Sequence, residues 1–121
     1  MFTSQISKLV LTLLFLSTAS ALAADDGSKA LYESKCAQCH GKAGDGTGRK
    51  GKDLDPKPTD FTDAKIYTDK KKLDMTPDER MEKSISKGGK EVGESNGMKA
   101  FPDLTPEQVK GLVEYIKTFK K

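Results

Sequence analysis

The sequence predicts an all-α domain of three or four helices joined by long loops. Three observations carry this prediction. Two segments, "TPDERMEKSISKGG" and "TPEQVKGLVEYIKTFKK", open on the same helix-start signal and continue with apolar residues at helical spacing. No stretch alternates apolar and polar residues as a half-buried strand would. The only two cysteines and the only histidine fall within five positions, inside "KCAQCHG" (35–41). Loops this long in so short a chain are expected to wrap around something held at that point.

Residues 1–23, "MFTSQISKLVLTLLFLSTASALA", carry one positive charge at Lys8, an apolar run from Leu9 to Leu16, and a small-x-small ending at Ala21-Leu22-Ala23. This is the layout of a cleaved signal peptide, and the apolar run is short for a membrane span. Export is therefore expected. It leaves residues 24–121 as one small domain that is not an integral membrane protein once processed.

The whole chain has 21 basic and 18 acidic residues, and only Lys8 leaves with the signal. A balance this even does not suggest nucleic-acid binding. With no Trp and 32% charged residues, so small a domain buries little apolar surface and needs a staple. Two cysteines allow at most one disulfide, so the deficit points back to residues 35–41.

Taken in order, "DDGSKALYESKCAQCHG" reads as a short helix entering the cysteine motif. Asp25 and Asp26 lie where negative charge suits a helix N-terminus, and Leu31 and Tyr32 are its apolar residues. "GKAGDGTGRKGKDLDPKPTD" is a loop. It contains two phosphate-site look-alikes, Gly46 to Gly51 and Gly46 to Lys52. Both lack the preceding strand and following helix that such motifs need. A short helix is expected around Phe61 to Tyr67. Next come a Thr76 cap with Pro77 and Glu79, Met81 and Ile85 on one face, and a stop at Gly88 or Gly89. The last helix follows a Thr105 cap with Pro106 and Gln108. Val109, Leu112, Val113, Ile116 and Phe119 form its apolar stripe, and Lys117, Lys120 and Lys121 close it.

Cys36-x-x-Cys39-His40 is the attachment signature of a c-type haem. Two intervening residues let both thiols reach vinyl groups on one edge of the macrocycle, and the adjacent His40 becomes the proximal iron ligand. A thioredoxin-type motif wants a βαβ setting, which is absent, and a zinc site wants four ligands. A structural disulfide leaves His40 unexplained. Wrapped haem, large and mostly apolar, also supplies the missing core.

With these residues, positions 25–121 resemble the class I c-type cytochromes, which are small, exported and single-haem. The resemblance implies a cytochrome c-like fold around one covalently bound haem c per chain, with Tyr32 meeting Leu112 and Tyr115 where the first and last helices cross. Ser28 stands where the family often has Gly, which predicts a slightly looser crossing. The resemblance also implies a distal methionine in a loop before the last helix. Met98 in "SNGMKAFPDL" fits that place, although Lys99 follows it where the family usually has Pro, and Phe101-Pro102 come later. Met75, just before a helix cap, is the second candidate, and Met81 reads as core. A proline carbonyl is implied as acceptor for the other His40 nitrogen. Pro56 and Pro58 both qualify, with Pro58 preferred because Phe61 follows as a haem contact. Ile85 is placed against haem as well.

His40 and Met98 are thus the expected axial iron ligands. A soft thioether favours reduced iron and raises the reduction potential. The function implied is that of a monomeric periplasmic carrier of single electrons between redox partner proteins, not an enzyme. Two alternatives are a haem with a labile Met98 bond that binds gases or acts on peroxide, and a subunit docked permanently on a dehydrogenase or reductase. Lys70, Lys71 and Lys72, with Lys87, Lys90 and Lys99, suggest docking to an acidic partner surface.

Overall fold

The structure, a computed structural model, describes residues 23–69 and 73–121. The segment read as a signal peptide and the run Lys70 to Lys72 fall on positions outside these residues, apart from Ala23.

Among the described residues there are four α-helices and no strands: α1 (Ala23–Lys35), α2 (Ala37–His40), α3 (Pro77–Lys87) and α4 (Pro106–Lys117). Two single 3-10 turns, Ala64–Tyr67 and Gly89–Val92, lie in the loops. No described helix is long and apolar enough to cross a membrane. The fold is the all-α one the sequence predicts. The short helix expected near Phe61 to Tyr67 is a 3-10 turn that begins at Ala64, with Phe61 in the turn before it.

Both predicted helix starts are complete capping boxes. Thr76 Oγ1 accepts from the Glu79 amide at 3.2 Å while the Thr76 amide donates to Glu79 Oε2 at 2.8 Å. Thr105 and Gln108 repeat the exchange at 3.2 and 2.9 Å. Each box satisfies amides that the first helical turn leaves without partners, a contribution of about 1 kcal/mol. Gly88, at φ 98°, ends α3.

Helices α1 and α4 form the main helix–helix contact. Tyr32 and Leu112 are fully buried there, and Val109, Val113 and Ile116 line the same core. The Tyr32 ring lies 5.3 Å from Tyr115 and 5.1 Å from Phe119. Close approach is made on α4: Gly111 faces Ser28, and a Cβ at Gly111 would stand 2.5 Å from the Ser28 hydroxyl. The small residue expected on α1 is thus supplied by the opposite helix, and α1 and α4 pack closely with Ser28 in place. Helix α3 packs across α4, and Lys117 Nζ bonds Asp78 at 2.9 Å, tying the end of one to the start of the other.

Candidate haem-binding site

The cysteine motif is built from one turn of backbone. The amides of Cys39 and His40 both donate to the Cys36 carbonyl, at 3.2 and 3.0 Å. Spacing of three residues in such a turn places Cys36 and Cys39 on one face. The two thiols are not bridged, and burial pushes Cys36 up to about 11. Among the described residues no group of three or more His, Cys, Asp or Glu side chains gathers to hold a metal ion.

Glycines in the following loop allow it to lie directly on this turn. The amides of Gly46, Gly48 and Lys50 donate to the carbonyls of His40, Cys39 and Gln38 at 2.8 to 3.0 Å. A Cβ on Gly48 or Gly51 would collide with the Cys39 backbone. The glycines that resembled a phosphate loop therefore serve close approach to the cysteine motif. Tyr32 Oη, donating to the Gly41 carbonyl at 2.8 Å, fixes the same turn to α1.

His40 is buried, at 8% exposure. Its Nδ1 lies 3.1 Å from the Thr59 carbonyl. A carbonyl only accepts, so Nδ1 carries the proton and Nε2 keeps its lone pair. Burial lowers the His40 pKa, although the bond to Thr59 opposes this, and the neutral ring is the form that ligates metals. Phe61 stacks on the imidazole at 4.4 Å and 17°, and its amide is held by the Gly44 carbonyl at 2.7 Å.

The acceptor for His40 is thus Thr59, and neither Pro58 nor Pro56. The Pro58 carbonyl packs instead against Gly46, where a Cβ would lie 2.7 Å from it. The Pro58 side of the loop lines the cavity described next. The expectation missed by one residue of loop register, which spacing alone does not fix.

Two adjoining cavities, of about 280 and 110 Å³, open beside His40. Cys36, His40, Thr59, Ser84, Glu94 and Met98 wall both, so they are lobes of one slot. Cys39 and Pro58 line the larger lobe, Phe61 and Ile85 the smaller. Cys36, Cys39, His40, Pro58, Phe61, Ile85 and Met98, the residues that the sequence reading places against haem, therefore meet at this slot. Met81 lines the smaller lobe, and Met75 lines neither.

The slot fits a haem. Its donors are two unbridged thiols, an imidazole with Nε2 uncommitted and a thioether, and its walls are largely apolar, with Leu54 and Phe101 in the larger lobe and Val92 and Ile116 in the smaller. Thr59, Ser84 and Leu54 are among the wall residues that escaped the sequence reading, with Val92 and Glu94.

Met98 is held from α3 and the turn that follows it. The Gly89 amide donates to the Met98 carbonyl at 3.0 Å, and the Phe101 amide to the Ile85 carbonyl at 2.9 Å. Ser84 Oγ lies 3.2 Å from Met98 Sδ.

A family model described as Cytochrome c matches residues 24–120. No curated protein and no solved structure matches the chain. With that match running from the start of α1 to the penultimate residue, the chain belongs to the cytochrome c family.

Proposed function

We infer from family membership a covalently bound haem c and haem-based electron transfer. We propose that the chain is an exported, monomeric, single-haem electron carrier whose axial ligands are His40 and Met98. The observation that carries this reading is the shared slot: buried His40, with Nε2 uncommitted, and Met98, anchored by its backbone, wall both lobes. When bound, haem supplies a one-electron couple at its iron. The chain's residues do the rest. Cys36 and Cys39 would hold the macrocycle by thioethers. The Thr59 carbonyl orients the His40 ring and raises its basicity. Phe61, Ile85 and Val92 exclude water and lower the local dielectric, which favours the less charged reduced state.

A carrier, as opposed to a gas-binding or peroxide-active haem, is supported by the two backbone hydrogen bonds that pin the Met98 loop at Gly89 and Ile85. A methionine so held does not swing away from the iron at little cost. The expected periplasmic setting rests on residues 1–23 alone.

Docking is assigned to the edge of the larger lobe. Lys35, Lys50, Lys57 and Lys99 line it, with Glu94 as the acidic wall residue, which fits a partner with an acidic patch. Such charges steer encounter more than they add affinity. Electron-transfer rates with the partner should fall as ionic strength rises and the Debye length shortens to about 8 Å. A rate flat in salt would mean docking through apolar contacts.

The reading as a whole is tested by absorption spectra of the exported protein, oxidised and reduced, before and after denaturation in acid–acetone. Haem that remains with the chain and cycles reversibly, with no carbon monoxide complex in the native reduced state, supports it. Extractable haem or ready carbon monoxide binding contradicts it.

A further inference from the structure

We propose that Ser84 is a positioning residue for the Met98 sulfur, fixing which lone pair the thioether offers to iron and weakening its donation to the oxidised metal. This rests on Met98 as the iron ligand and adds a second residue that acts through it.

A serine inside a helix commonly points its hydroxyl to solvent or turns it back to the carbonyl four residues earlier. Ser86, two positions along the same helix, does the latter: its Oγ donates to the Glu82 carbonyl at 2.8 Å. Ser84 does not follow this pattern, and its Oγ sits 3.2 Å from Met98 Sδ. A thioether sulfur bears no hydrogen, so the direction of this bond is unambiguous: the hydroxyl donates and sulfur accepts. Both side chains are half-buried and wall both lobes of the slot, so bulk water does not compete freely for either.

The same end of α3 governs Met98 at two points. The Gly89 amide holds its carbonyl at 3.0 Å, and Ser84 holds its sulfur. A thioether sulfur carries two lone pairs. With one engaged by the Ser84 hydroxyl, the other is the one left for a metal, and the configuration at sulfur follows. Electron density drawn toward the hydroxyl makes sulfur a poorer donor. Oxidised iron depends on that donation more than reduced iron does, so the bond shifts the equilibrium toward the reduced state. Hydrogen bonds to metal ligands are a recognised means of tuning a haem.

The test compares haem-loaded wild type with Ser84→Ala, Ser84→Thr and Ser84→Val. Ala favours helix more than Ser does, so the fold is expected to survive. Thr and Val share one shape and differ by the hydroxyl, which separates packing from hydrogen bonding. Ser84→Ala and Ser84→Val should favour the oxidised state by roughly three- to tenfold, tenfold being about 59 mV for one electron. Ser84→Thr should stay near wild type. The Met98 ε-methyl resonance in the reduced protein should move in the Ala and Val variants only. Equal potentials across all four proteins overturn the proposal, as does a Thr variant that tracks Val. Met98→Ala separates the two claims. If it keeps the sulfur-to-iron charge-transfer band, the ligand reading fails and takes this one with it. If it loses the band while Ser84→Ala leaves potential and methyl resonance unchanged, only the role of Ser84 fails.

Discussion

The His40 wall and the Met98 wall of the slot are built in different ways. On the His40 side nearly every constraint is local. The cysteines and histidine share one turn, the next dozen residues fold back onto it by backbone hydrogen bonds, and Tyr32 clamps Gly41 from the preceding helix. Only the Thr59 carbonyl and Phe61 come from as far as about 20 residues along the chain. On the Met98 side little is local. Met98 sits in a loop whose position depends on α3, through Ser84, Ile85 and Gly89, and α3 is in turn fixed by packing on α4. Contacts close in sequence cost little loop-closure entropy, whereas distant ones form only once the rest of the fold exists. The Met98 wall is therefore expected to open first, and the His40 wall to persist until global unfolding.

That contrast can be broken at its base by removing what the His40 side anchors. Cys36→Ala with Cys39→Ala should leave a haem-free and largely unfolded chain, because the side-chain core beside the slot is small. Native far-UV dichroism and a cooperative melt in this variant would show that the helices stand without the cofactor. Next in size, Phe61→Ala removes a ring that stacks on His40 and meets Tyr32 at 6.5 Å. At 7% exposure its loss should cost about 3–5 kcal/mol in denaturant unfolding. A cost under about 1 kcal/mol would mean that the core is not shared between haem wall and helix crossing.

A smaller change sharpens the comparison. Thr76→Ala removes the α3 cap, at about 1 kcal/mol. Since α3 holds the Met98 loop, hydrogen exchange should speed up at the Gly89 and Phe101 amides and stay unchanged at Gly46 and Gly48. Equal acceleration at all four would mean that the two walls open as one unit.

How much of this the sequence disclosed follows the same divide. The Thr76 and Thr105 boxes were legible because a cap is made by residues three apart. The Cys36-Cys39-His40 turn was legible for the same reason. Thr59 was not, because the partner of His40 depends on the path of a twenty-residue loop, and one residue of register separates it from Pro58. Gly48 and Gly51 were legible as no phosphate loop, but what they do instead was not, since the Cys39 backbone that they lie against is set by the path of the loop. Gly111 facing Ser28 could not be seen from α1 alone, since the space at a crossing can be made from either helix. Ser84 carries no signal of its own in the sequence, because its role exists only once Met98 is brought beside it.

The central claim, that His40 and Met98 together hold the iron, is tested most directly by the sulfur-to-iron charge-transfer band of the oxidised protein in wild type, Met98→Ala and Met75→Ala. The band should be present in wild type and Met75→Ala. It should vanish in Met98→Ala, which should also bind carbon monoxide when reduced while keeping its covalent haem. A band that survives Met98→Ala, or one that is lost in Met75→Ala, would contradict the claim.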